Sequence, residues 1–184
     1  QPTSANDTLE LPLIQELLPT MDQRNILDLG CGDAALAPQL LNAGAISYLG
    51  IDGSSNMVKL AKSQKISPKY SEQHYKIEHD FIESFAYPEE SYDLILSRLA
   101  FHYIEAIAPV FKKIYASLRH KGHFIFSVEH PIITSHQVSM KQGANRKDWV
   151  VDRYFDTGKR NVHWMGNDVI KYHRTVEDYY QALK

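Results

Sequence analysis

Between Asn25 and His130 the chain repeats one pattern: a short apolar run, a turn, then a longer run with helical spacing. The short runs NILDLG, SYLGID, YKIEHD, YDLILS and HFIFSVEH read as strands, the first of them a short apolar one closed by glycine. DAALAPQLLNAG, SSNMVKLAKSQ and IEAIAPVFKKIYASLRHKG read as helices, and AYPEES as the turn between the third and fourth strands. In the first of these helices Asp33 stands where an N-cap belongs, Pro38 falls near the first turn and Gly44 marks the stop. Strands alternating with helices of this length build βαβ units, whose crossovers are right-handed. The expected fold is α/β, a Rossmann-like doubly wound parallel sheet.

Outside that alternation the pattern changes. DTLELPLIQELLPT predicts an amphipathic helix ended by Pro19. Beyond Pro131 a polar loop leads to RYFDTGKRNVHW and NDVIKYHRT, two runs separated by Gly166 that predict an antiparallel hairpin. TVED at Thr175 offers a capping-box start to a last helix. The organisation expected is one domain, with a core over 22–131, a hairpin region over 132–174 that could cover a substrate, and a terminal helix over 175–184. The lead-in QPTSAND begins with Gln1, so an N-terminal piece is expected to be missing.

Composition narrows the function. The net charge of −2 argues against a protein built to track nucleic-acid phosphates, although eight Lys or Arg stand against four Asp between Lys141 and Arg174. The single cysteine, Cys31, rules out a disulfide framework within the chain and suits a reducing, cytoplasmic compartment. No apolar run approaches a membrane span. No His or carboxylate cluster has a metal-ligand spacing such as H-E-x-x-H, so no metal is expected.

The chemistry concentrates in ILDLGCGDAA. Gly30, Gly32 and Ala35 satisfy G-x-G-x-x-G/A between a predicted strand and a predicted helix, and Asp52 follows at the end of the next strand. Glycines there let a ligand approach the backbone, and an acid at Asp52 can accept both ribose hydroxyls of an adenosine. A pyrophosphate would favour a positive loop. This loop instead carries Asp28 and Asp33, which suit a ligand bearing an ammonium and a sulfonium. S-adenosylmethionine is the cofactor that fits.

These residues resemble those of the class I S-adenosylmethionine-dependent methyltransferases. ILDLGCGDA looks like their first motif, LGIDGSSNMVKLAK like the segment with the ribose-binding acid, and HDFIESFAYPEESYDLILSRLAFHYI like the adenine-contact acid followed by strand four. LRHKGHFIFSVEHP is similar to the turn into strand five, and the region from Tyr154 onward resembles more loosely a small-molecule subgroup of the methyltransferase-11 type. The resemblance implies the parallel order 3-2-1-4-5. It also implies a final antiparallel strand pair for which no residues follow the terminal helix, so an edge is expected to stay unpaired unless a partner covers it.

Residue by residue, the resemblance implies that Asp28, Gly30, Cys31 and Gly32 line the methionine end of the cofactor, with Asp28 reaching the ammonium. Asp52 would hold the ribose, Gly53 and Met57 would pack by the adenine, Asp80 would accept from its amine, and the Phe81 N–H would donate to its ring. Ser97, Arg98 and Leu99 would close the floor near the sulfonium, with His102 beside the cofactor. Where Ala34 stands a glycine is common. Cys31 is expected only to fill its place, since nothing nearby in sequence activates it.

Methyl transfer is an in-line displacement in which the protein mainly aligns the reactants. If the acceptor must lose a proton, His102 after strand four and His130 after strand five are the candidate bases. Tyr103, Glu129, Trp164 and Arg174 are the candidate substrate contacts. The leading function is methyl transfer to an oxygen or nitrogen, with carbon less favoured, of a small-molecule acceptor, leaving S-adenosylhomocysteine. An NAD(P)-dependent oxidoreductase and a non-catalytic S-adenosylmethionine-binding protein remain as alternatives. Neither nucleic acid nor membrane is expected as a partner, and the oligomeric state is open.

Overall fold

The computed structural model describes residues 6–64, 66–135, 150–151, 153–164 and 167–184, and of Trp164 and Asn167 only the backbone. The chain divides into two compact units, one of Gln1–Arg98 with Lys112–Ser127 and the other of Leu99–Phe111 with Val128–Lys184.

The first unit holds the sheet. Strands β1 (Asn25–Leu29), β2 (Ser47–Asp52), β3 (Tyr75–His79), β4 (Tyr92–Arg98) and β5 (Leu118–Ser127) run parallel in the order β3-β2-β1-β4-β5. That is the expected order. Central β1 and β4 supply Ile26, Leu27, Leu29, Leu94, Ile95 and Leu96, all without solvent exposure, because helices can cover both faces of such a sheet. Ile26→Val should cost about 1 kcal/mol in urea unfolding, the usual penalty for one methyl lost from a close-packed interior.

The N-terminal segment is a π-helical turn, Asn6–Glu10, running into α1 (Leu11–Leu17), and α1 packs on β5. Helix α3 (Ser55–Lys62) starts at an Ser54 cap whose hydroxyl accepts from the Met57 N–H. Two boundaries differ from expectation. Helix α2 (Ala37–Asn42) begins four residues after Asp33, whose carboxylate accepts from the Ala35 N–H without capping a helix. Pro38 lies at the first turn, where its missing N–H costs nothing, and Ala34 at φ 55° keeps the preceding chain out of the helix.

The second difference is at LRHKG. Helix α4 (Ile107–Ser117) stops before this stretch and β5 begins with it. The β4–β5 register shifts between Tyr92 opposite Leu118 and Leu94 opposite His123, around Lys121 at φ 62°. Arg119 fixes the irregularity by donating to the Glu90 carbonyl and the Asp93 carboxylate, so tertiary contacts override a helix-compatible sequence.

The second unit contains a 3-10 turn (Phe101–Tyr103), α5 (Pro131–Ser135), β6 (Gly158–Trp164), β7 (Asn167–His173) and α6 (Val176–Leu183). Strands β6 and β7 pair antiparallel, from Gly158 opposite His173 to Trp164 opposite Asn167. Thr175 and Asp178 form the capping box of α6.

Candidate functional site

The glycine loop leaves β1 with Gly30 at φ 71° and Gly32 at φ 58°, left-handed conformations that favour glycine. Gly30 and Cys31 both donate their N–H groups to the Ile51 carbonyl on β2. A side chain at Gly50 would meet the Cys31 sulfur at 2.8 Å, so the bare backbone there lets the loop lie on its neighbouring strand. Gly32 has open space where a side chain would point.

Two carboxylates bracket this loop. Asp28 is 4% exposed and accepts from the Tyr48 hydroxyl at 2.6 Å. Burial drives its pKa up to about 6, while Tyr48 and the Arg98 charge pull it down and Asp52 and Glu10 push it up. Asp52 accepts from the Gly32 N–H at 2.9 Å with one oxygen and from the Ser54 N–H at 2.7 Å with the other. The acid at the end of β2 is thereby tied to the loop at the end of β1. Burial, then Asp28 and Asp52, push the Cys31 thiol far above its usual range, so it stays protonated and unreactive.

Next along the edge, a side chain on Gly53 would strike the Phe81 ring at 2.9 Å. Met57 and Phe81 are exposed apolar side chains. Asp80 accepts from both the Phe81 N–H and the Ser84 hydroxyl, so the Phe81 N–H is already engaged. Ser97 is fully buried and donates its hydroxyl to the Leu29 carbonyl. Arg98 points elsewhere than sequence alone suggests: its Nε and Nη2 grip Glu10 at 3.0 and 2.5 Å, and Ser127 donates to the same carboxylate at 2.6 Å. Glu10 thus fastens the N-terminal segment to the ends of β4 and β5.

The other candidates belong to the second unit. Leu99 has φ 54°. His102 is 2% exposed, and its Nδ1 accepts from the Glu129 N–H at 3.4 Å. Burial, with Lys171 and Arg174 nearby, drives its pKa down to about 3, which keeps the ring neutral and a poor proton acceptor. His130 is exposed and its Nδ1 accepts from the Ile132 N–H, ordering the entry to α5. Glu129 pairs with the buried Lys171 at 2.5 Å, and the Lys171 ammonium lies 5.6 Å from the centre of the Tyr103 ring. Arg174 donates to the carbonyls of Ile104 and Glu105. The Trp164 side chain lies outside the described residues.

Residues 27–126 match the family described as methyltransferase domain. The chain belongs to the class I S-adenosylmethionine-dependent methyltransferases. A solved S-adenosylmethionine-dependent methyltransferase from Mesorhizobium loti is 32% identical, with 95% of this chain and 78% of that one covered at a TM-score of 0.81. A Listeria monocytogenes structure assigned to the same activity is 39% identical, with 95% and 81% covered at a TM-score of 0.83. An uncharacterized protein of Haemophilus influenzae is 35% identical over 184 residues, covering 95% of this chain and 71% of that protein.

The methyltransferase's loop fits its cofactor chemically. A carboxylate buried beneath two glycines, a second one bonded to the loop backbone and open space at Gly32 suit an ammonium, a ribose diol and a close backbone approach. Asp28 and the loop's Asp33 would repel a pyrophosphate, whereas Asp52 suits the ribose of either kind of cofactor. Sequence reasoning missed Glu10, Tyr48 and Gly50. Among the described residues there is no group of three or more His, Cys, Asp or Glu that could hold a metal, and no helix is long and apolar enough to cross a membrane.

Proposed function

We propose that this methyltransferase transfers the methyl group to an oxygen or nitrogen of a small-molecule acceptor, in the cytoplasm. The observation that supports the cofactor in this reading is the pair of carboxylates at the glycine loop, Asp28 buried just before it and Asp52 bonded to its Gly32 N–H. The cofactor supplies an electrophilic methyl on a sulfonium that departs as a neutral thioether. Asp28 receives the ammonium of the methionine end, beside Gly30, Cys31 and Gly32. Asp52 accepts from the ribose hydroxyls and is held in place for it by two backbone donors.

Gly53, Met57, Asp80 and Phe81 form the adenine end, where the short bond between the Phe81 N–H and Asp80 opens to free both groups. Ser97, Arg98 and Leu99 form the floor through their backbones, since the side chains of the first two are engaged within the protein. His102 orients Glu129 and stays neutral. His130 is the proton acceptor where the acceptor needs one, and Tyr103, Glu129, Trp164 and Arg174 contact the acceptor.

Calorimetry with S-adenosylhomocysteine and with NADH, then labelled methyl transfer to a panel of phenols, amines and carboxylates, tests the reading. Saturable binding of the first ligand alone and label on oxygen or nitrogen are expected. Label found only on carbon, or binding of NADH instead, would overturn it.

A further inference from the structure

Glu129 carries an unexplained oxygen. Its Oε1 takes the Lys171 ammonium at 2.5 Å, but Oε2 is buried and has no hydrogen-bond partner among the described residues. Lys171 itself is 1% exposed. Withdrawing an ion pair from water rarely stabilises a fold, and it is costliest when a lone pair is left unmet. The surroundings nevertheless hold this carboxylate in place. Its backbone N–H is bonded to His102 Nδ1, its side chain to Lys171, and the Lys171 ammonium is shared with the ring of Tyr103, a residue 40% exposed. Three separate segments, the 3-10 turn, the residues after β5 and strand β7, contribute to this arrangement. An acceptor oxygen fixed this well and left unmet suits a ligand that brings the missing donor.

The charge balance says what kind of donor. Lys171 already neutralises the carboxylate, so a cation brought to Oε2 would also meet the Lys171 ammonium across the same group. An anion would face the carboxylate oxygen directly. A neutral O–H or N–H meets neither penalty, and the partly exposed Tyr103 ring, next to the Lys171 ammonium that holds the carboxylate, supplies an aromatic surface in the same unit.

We infer that Glu129, held by Lys171, anchors the methyl acceptor, and that the acceptor is an uncharged molecule, aromatic at the anchored end, which donates a hydroxyl or N–H to Oε2. This rests on the acceptor-transfer reading above and narrows its substrate class.

The test uses phenol, anisole and benzylammonium as probes, with binding followed by ligand-observed NMR on the whole chain, with and without saturating S-adenosylhomocysteine. Phenol supplies the donor, anisole has the same shape without it, and benzylammonium adds a charge. Wild-type protein should bind phenol at least tenfold more tightly than either of the others. Glu129→Ala should erase the preference over anisole. Lys171→Met leaves the carboxylate uncompensated and should turn the selectivity toward benzylammonium by tenfold or more, an inversion that loss of packing alone does not produce. Equal binding of phenol and anisole by the wild type, a preference that survives Glu129→Ala, or unchanged selectivity in Lys171→Met would each overturn the inference. Absent binding of S-adenosylhomocysteine would instead count against the cofactor reading, and the probe preference without it would still decide the role of Glu129.

Discussion

Asp52→Ala is expected to reduce S-adenosylhomocysteine affinity by more than a hundredfold, to below detection in calorimetry. Two ribose hydroxyls would lose a charged acceptor, and hydrogen bonds to charged groups contribute about 1.5 to 3 kcal/mol each. Together that is about 3 to 6 kcal/mol, against about 1.4 for each tenfold in affinity. A further loss comes from the protein itself. Asp52 accepts from the Gly32 N–H and the Ser54 N–H, so its removal frees the glycine loop from the end of β2. Asp52→Asn keeps the shape and one acceptor oxygen, and a smaller loss is expected. Helix α3 retains its own Ser54 cap in both variants, so far-ultraviolet circular dichroism should be unchanged. Affinity within tenfold of wild type in Asp52→Ala would show that the ribose is held elsewhere.

The place of Asp52 at the end of β2, next to the glycine loop, was legible in the sequence because it depends on local spacing, a strand end one βαβ unit beyond a glycine turn. The five strands were legible from their alternation with helical runs, and the central ones also from apolar stretches such as Leu94-Ile95-Leu96, fully buried in a sheet covered on both faces. Residues that depend on register or on distant chain segments were not legible. Tyr48 reaches Asp28 because β1 and β2 align Ile26 with Tyr48 and Asp28 with Gly50, which puts Tyr48 on the face of Asp28 two positions back. Nothing in the spacing of the two runs states that alignment. Glu10 is more remote still, 88 positions from Arg98 and 117 from Ser127, and as an acid in an amphipathic segment it reads as ordinary surface. The start of α2 was misjudged where two local signals competed, Asp33 against Pro38, and the end of α4 where the distant contacts of Arg119 overrode the helix-compatible composition of LRHKG.

Asp28→Asn is expected to do two opposite things, stabilise the ligand-free protein at neutral pH and weaken the cofactor there. Burial raises the folded-state pKa of Asp28 from 3.8 to about 6. Below about pH 4 the group is protonated in the folded and unfolded chains alike, and contributes nothing. Above pH 6 the folded chain must carry a buried negative charge, a penalty of about 3 kcal/mol for a difference of this size. The penalty is relieved as the pH falls from about 6 toward 4, so this group makes the ligand-free wild type more stable over that window. Asparagine has the same shape, can still accept from Tyr48 and carries no charge, so its stability should be higher at pH 7 and lack that dependence.

The ligand reverses the sign. An ammonium selects the ionised form of Asp28, so wild-type affinity for S-adenosylhomocysteine should hold above about pH 6 and fall up to tenfold per unit below it. Tyr48→Phe removes the hydrogen bond that favours the ionised carboxylate and should move this midpoint upward. Thermal unfolding and calorimetry from about pH 4.5 to 8 separate the two effects. Near the midpoint, proton release on binding should also make the heat depend on the ionisation enthalpy of the buffer. Wild-type affinity that is flat across the range, or Asp28→Asn that binds as tightly as wild type at pH 7, would mean that the ammonium is met by some other group and that Asp28 is buried for the loop alone.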